Sequence, residues 1–95
     1  MENKEFFNDL VQVLISISDQ KEMAKFLKDL CTPQELLALS ERWRVCQLLD
    51  AGKFSYREIS EKTGVSLATI TRVARFLKDE PHRGYQMILK KTKSI

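Results

Sequence analysis

No stretch of this 95-residue chain approaches the roughly 20 consecutive apolar residues that would cross a bilayer, so no membrane span and no membrane partner is expected. The opening Met-Glu-Asn-Lys-Glu lacks the basic-then-apolar pattern of a secretory signal, which predicts a cytoplasmic protein. Only two cysteines are present, Cys31 and Cys46, fifteen positions apart with no CxxC, alongside a single histidine. That is neither a metal framework nor a disulfide scaffold. The cysteines are expected as small buried hydrophobes in a reducing compartment, and His82 as an ordinary surface residue. A Gly-rich phosphate loop, an internal repeat and a low-complexity tract are all missing, and no nucleophile–base set or carboxylate pair stands out. No catalytic residue, no metal and no cofactor is therefore expected, and the chain does not read as an enzyme.

What the sequence has is a core-forming composition, 43% hydrophobic, in a length that suits one small domain spanning residues 1–95. The net charge of +3 conceals a segregation. Residues 1–51 carry six Lys/Arg and nine Asp/Glu; residues 52–79 carry six and three; residues 80–95 carry four and one. The front half is acidic and the rest basic, as expected if one end meets nucleic acid.

The basic part contains the stretch around which the chain is organised. Ser55 with Glu58 forms a capping box that starts a short helix, Gly64 supplies the tight geometry at its end, and Val65 packs into the corner. Ser66 caps a second helix, in which Ile70, Val73, Ala74 and Leu77 share one side. Two short helices joined by a Gly-containing turn make a helix-turn-helix over residues 55–78. Ala68, Thr69, Thr71, Arg72, Arg75 and Lys78 fall away from the apolar stripe. Small and hydroxyl side chains at the start of that face suit a major groove, and Arg57, Arg72, Arg75 and Lys78 suit flanking phosphates. The same residues would also serve as a merely solvated helix face.

The remaining helices follow from caps and periodicity. Residues 3–18 predict a first helix whose Phe6, Phe7, Leu10, Val11, Val13, Leu14, Ile15 and Ile17 cover an arc of roughly 200°, about twice what one core face requires. A partner subunit is expected to cover the surplus. Asp19 with Glu22 starts a second helix through Met23, Phe26, Leu27 and Leu30. Thr32-Pro33-Gln34-Glu35 starts a third, which Gly52 ends, and its near-encircling apolar residues predict a central column buried on most sides. Arg42 and Arg44 in that column are expected to snorkel to its edge. Pro81 ends the helix-turn-helix, and a last helix from about His82 to Lys91 offers Tyr85, Ile88 and Leu89, with a frayed tail to Ile95.

Thr32-Pro33, Leu39 through Arg42, Arg44-Val45, Leu48-Leu49 with Gly52, Arg57-Glu58 and above all Ala68-Thr-Ile-Thr-Arg72 with Leu77-Lys78 and Pro81 resemble the tryptophan repressor family. Residues 32–81 carry the resemblance; the first 30 match in helical character and look closer to the small repressor-like proteins of the YerC/YecD type. The resemblance implies an all-α fold of about six helices, interlaced as a homodimer. It divides the chain into dimerisation helices (1–31), a central helix (32–52), the helix-turn-helix (55–78) and a C-terminal helix (81–92). It places DNA reading on Arg57, Leu67, Ala68, Thr69, Thr71 and Lys78. Tyr56 and Ser60 depart from the family pattern, so its operator sequence does not carry over.

The resemblance also implies an effector pocket built on Arg42 and Arg72, where the family sandwiches an indole and binds its carboxylate. Val73 stands where the family has glycine, Phe76 where it has a serine, and Asp29 and Cys31 where it has leucines. Phe76 lies beside Arg72 on the helix wheel, so its ring is placed to occupy the indole site itself. A small anionic effector in place of tryptophan, or no corepressor at all, is what these departures imply. The function expected is a sequence-specific DNA-binding transcriptional regulator, a repressor reading a palindromic operator in double-stranded DNA as a dimer. The alternative is an adaptor that uses the helix-turn-helix to bind protein, or nucleic acid without sequence choice.

Overall fold

A computed structural model of the chain describes residues 3–93, and among them six helices follow one another with no strand: α1 (Asn3–Ser16), α2 (Gln20–Leu30), α3 (Pro33–Ala51), α4 (Tyr56–Thr63), α5 (Leu67–Lys78) and α6 (Gly84–Lys93). The fold is the expected all-α one. Residues 1, 2, 94 and 95, which the expected domain and tail include, lie outside the described residues. No helix among the described residues is long and apolar enough to cross a membrane. The chain divides into two compact units, one up to Leu36 and one from Leu37 onward.

Caps decide where the helices begin. Asp19 accepts the Glu22 N–H at 2.9 Å to start α2. Ahead of α3 the box closes both ways: the Thr32 N–H donates to Glu35 Oε1 (2.8 Å) and the Glu35 N–H to Thr32 Oγ1 (3.1 Å), with Pro33 at the first helical position. Ser55 and Glu58 repeat that box at α4, at 2.9 and 3.1 Å. Gly64 then takes φ +76°, the left-handed conformation that a side chain would strain, and its N–H donates to the Ser60 carbonyl at 2.8 Å.

In the first unit no residue of α1 or α2 is buried. Leu10, Leu14, Met23, Phe26 and Leu27 are half-buried, while Phe6, Phe7, Val11, Val13, Ile15 and Leu30 are exposed. Helix α1 also stops at Ser16, two residues short of the expected end, where the Ser16 hydroxyl donates to the Val13 carbonyl at 2.6 Å and competes with the backbone ladder.

The second unit holds the core: Val45 and Cys46 from α3, Ile59 from α4, Val65 from the turn, Ile70, Val73 and Leu77 from α5, and Leu89 from α6. Each fully buried Ile or Val there contributes on the order of 1.5–3 kcal/mol. Trp43, Leu48, Leu49, Phe54 and Tyr85 pack around this cluster. The central column is thus buried only in its second half; Leu37 and Leu39 stand 59% and 49% exposed. The wheel shows which residues are apolar, whereas burial requires a neighbour.

Helix α6 starts at Gly84, later than the expected His82, because Pro81 and His82 form a turn and Arg83 adopts a left-handed φ of +58° before its carbonyl accepts the Met87 N–H at 3.1 Å. It runs through Lys93, so the part of the tail within the described residues is helical. Lys93 Nζ pairs with Asp50 at 2.6 Å and the Thr92 hydroxyl donates to the Leu89 carbonyl. The Gln86 side-chain amide donates to the Leu77 carbonyl at 2.6 Å, satisfying one of the open acceptors at the end of α5.

Candidate nucleic-acid interface

Helix α5 is pinned to the core by one side. Ile70 and Val73 are at most 1% exposed, and Ala74 and Leu77 at most 7%. At 100° per residue, Ala68, Thr71, Arg72, Arg75 and Lys78 then occupy an opposite arc of roughly 120°. All five are exposed, as are Leu67 and, on α4, Arg57. The first turn of α5 carries no acidic residue, and its last turn carries Arg75 and Lys78, so the positive end of the helix dipole at the start of α5 and the cations near its end both suit an anionic partner.

Thr69 stands differently from the other outer residues. It is half-buried, on the flank of α5 and not at its crest. The Ser66 Oγ accepts the Thr69 N–H at 3.2 Å and donates its own proton to Thr69 Oγ1 at 3.1 Å. The cap of the helix therefore also aims the threonine hydroxyl. Behind it, the turn is braced from inside: the Ser60 hydroxyl donates to the Val65 carbonyl (2.8 Å), and Thr63 Oγ1 accepts the Val65 N–H (3.1 Å).

Arg75 is partly committed within the chain. Its Nε lies 3.3 Å from Glu80 Oε1, an exposed pair of the kind worth about 0–1 kcal/mol. Neither Glu80 nor this pairing was part of the expected face. Phe76 is within cation–π reach of two guanidinium groups, with Arg72 4.5 Å and Arg75 5.5 Å from its ring centroid.

Arg42, Arg72, Val73 and Phe76, the residues of the expected effector pocket, line one cleft of about 440 Å³. Sequence reading placed none of the other walls there: Trp43 from α3, His82 and Arg83 from the turn, and Gly84, Tyr85, Met87 and Ile88 from α6. The apolar stripe of α6 gave a partial signal, since Tyr85 and Ile88 both belong to it, and Leu89 of the same stripe enters the core. Arg42 is half-buried and Arg44 exposed, in keeping with snorkelling. Burial first, and then the neighbouring Cys46, push the Tyr85 hydroxyl upward, with Arg42 and Arg72 pulling the other way. The cleft is mainly apolar with a cationic wall.

Cys46 is fully buried, and burial followed by the charge of Asp50 pushes its thiol up to about 11, so it behaves as an inert hydrophobe. Cys31 differs from the expectation: it is half-buried at the C-cap of α2, where its N–H donates to the Leu27 carbonyl at 2.9 Å. Both thiols are free. No group of three or more His, Cys, Asp or Glu side chains among the described residues is arranged to hold a metal ion.

Comparison with known proteins bears directly on this arrangement. The Trp repressor protein family matches residues 5–93. An uncharacterized Bacillus subtilis protein, YerC, is 36% identical over 86 residues, covering 90% of this chain and 81% of that protein. A Trp operon repressor homolog of Aliivibrio salmonicida is 40% identical over 75 residues, covering 76% of this chain and 69% of the relative. Among solved structures, a TrpR-like protein from Eubacterium eligens superposes with a TM-score of 0.87 at 36% identity, over 97% of this chain and 96% of that one.

Proposed function

The chain belongs to the Trp repressor protein family, and from that membership we propose that it is a transcriptional repressor that binds a two-fold symmetric operator as a homodimer. The Trp operon repressor homologs among its relatives support a DNA-binding regulator. The observation that carries the finer reading is the two-sidedness of α5. Its inner residues are locked in the core, while its outer arc is exposed, begins with small side chains and ends in cations. In this reading Leu67, Ala68, Thr69 and Thr71 meet base edges in the major groove, and Arg57, Arg72 and Lys78 hold the flanking phosphates. Arg75 contributes to the same field while shared with Glu80.

The homodimer is supported by α1. Phe6, Phe7 and Ile15 are 55%, 63% and 78% exposed on a helix that buries none of its residues within one chain. A second copy covers that surface and sets two α5 helices about one helical turn of DNA apart, roughly 34 Å. The cleft beside α5 is read as a site for a small anion held by Arg42 and Arg72, not for L-tryptophan.

Selection from a pool of random duplexes, followed by binding to the selected and scrambled sites across salt concentrations, tests the reading. Thr69→Ala is expected to reduce discrimination by about 1–3 kcal/mol. Lys78→Ala, which removes one contact from each subunit, is expected to weaken all duplexes alike and to lower the salt slope of the homodimer by about 1.8. Enrichment of no sequence, with both variants binding as wild type, would refute the proposal and favour an adaptor.

A further inference from the structure

The helix-turn-helix leaves the charge of α6 unexplained. Its last turn carries Lys90, Lys91 and Lys93, and the helix has no acidic residue. Lys90 and Lys93 line a hollow of about 520 Å³ together with Lys78. The floor is apolar, formed by Leu49, Leu77 and Leu89, and among the described residues that line it the carboxylate is that of Asp50. Among the described lining residues three lysines stand with one aspartate, a formal charge of +2. Lys78 belongs to two surfaces at once: it ends the outer arc of α5 and it rims this hollow. The hollow is therefore continuous with the face read above as the groove-binding one.

We propose that this hollow is a second phosphate site, at which Lys78, Lys90 and Lys93 engage the duplex backbone beyond the groove that α5 enters. The inference rests on the DNA-binding reading. The long, jointed lysine stems cover the apolar floor while their ammonium ends reach outward, which suits a row of phosphates better than a single fixed anion. Asp50 holds Lys93 in the free protein at 2.6 Å, with the lysine side chain 67% exposed and the aspartate 26%. A backbone phosphate takes over that ammonium on binding and releases bound counterions as it does so. Asp50, left facing the phosphate, opposes the exchange, so the protein carries its own attenuator of non-specific affinity.

The experiment measures binding of the full chain to its selected operator and to the same operator extended by about one helical turn, ~10 base pairs, on each side. The Lys90→Gln/Lys93→Gln double variant removes up to about four phosphate contacts from the homodimer, and is expected to weaken binding to the extended duplex and to lower its salt slope by up to about 3.6, without altering which sequence is preferred. Asp50→Asn is expected to do the reverse, with tighter binding and a steeper slope, a gain that a folding defect cannot produce. Lys91→Gln, outside the hollow, is expected to match wild type. Wild-type slopes for both the double variant and Asp50→Asn, with Lys78→Ala still lowering the slope, would overturn this site and leave the repressor reading intact. Failure of the unmodified chain to bind any duplex overturns both.

Discussion

Ser66 joins stability to specificity, and replacing it by alanine separates the two. Its Oγ makes two hydrogen bonds to one residue, accepting the Thr69 N–H at 3.2 Å and donating to Thr69 Oγ1 at 3.1 Å. Loss of the first removes the N-cap of α5, which costs about 1 kcal/mol at an exposed helix start. For a domain of this size that corresponds to a fall of about 4–8 °C in Tm at fixed protein concentration. Loss of the second frees the Thr69 hydroxyl to rotate. A neutral hydrogen bond is worth about 0.5–1.5 kcal/mol net, so discrimination between operator and scrambled duplex should fall, by less than Thr69→Ala costs. Ser66→Thr keeps both bonds and is expected to restore both quantities. Thermal unfolding and operator titration of Ser66→Ala, Thr69→Val and the double variant complete a cycle whose coupling in discrimination is expected at about 0.5–1.5 kcal/mol. An unchanged Tm would show that the cap contributes nothing. A strictly additive cycle would show that Ser66 does not aim Thr69.

Sedimentation at micromolar concentration is expected to give a homodimer, and Ile15→Asp, at the most exposed large apolar residue of α1, to dissociate it; a stable folded wild-type monomer would remove the interface. Calorimetry with L-tryptophan is expected to show no micromolar binding, because Phe76 already lies under Arg72 at 4.5 Å and gives the ligand's ammonium group no hydroxyl. The lost charge-assisted hydrogen bond, about 1.5–3 kcal/mol, exceeds the roughly 0.5–1 kcal/mol a cation–π contact returns; tight binding with enhanced operator affinity would mean that Phe76 swings away. Glu58 is held below the ordinary carboxylate range chiefly by the Ser55 backbone N–H, with the Ser55 side chain second. Its folded value being depressed, the stability it contributes is present above the unfolded value of about 4.3 and is lost as pH falls through the folded one. Glu58→Gln is expected to flatten the pH dependence of unfolding below about pH 4, and an identical acid limb in the variant would assign that limb to other carboxylates.

The caps at Asp19, Thr32, Ser55 and Ser66, the left-handed Gly64 and the buried stripe of α5 were all legible in the sequence. Each rests on groups within four residues of one another along a helix, where covalent geometry alone brings them together. The over-wide apolar surface of α1 was legible for the same reason, though periodicity says how much surface exists and not what lies against it. The all-α class, the helix-turn-helix and the exposed cationic face of α5 follow from that local order. The start of α6 was misplaced because the left-handed turn at Arg83 involves a residue type that does not advertise it. What only the tertiary structure decided is which helix faces meet. Arg42 of α3 shares a cleft with Arg72 of α5 and Met87 of α6, and Asp50 of α3 reaches Lys93 at the far end of the described chain. These partners lie tens of residues apart, and their meeting depends on how α3, α5 and α6 pack around Val45, Val73 and Leu89, an outcome of side-chain volume and crossing geometry that no repeat in the sequence encodes.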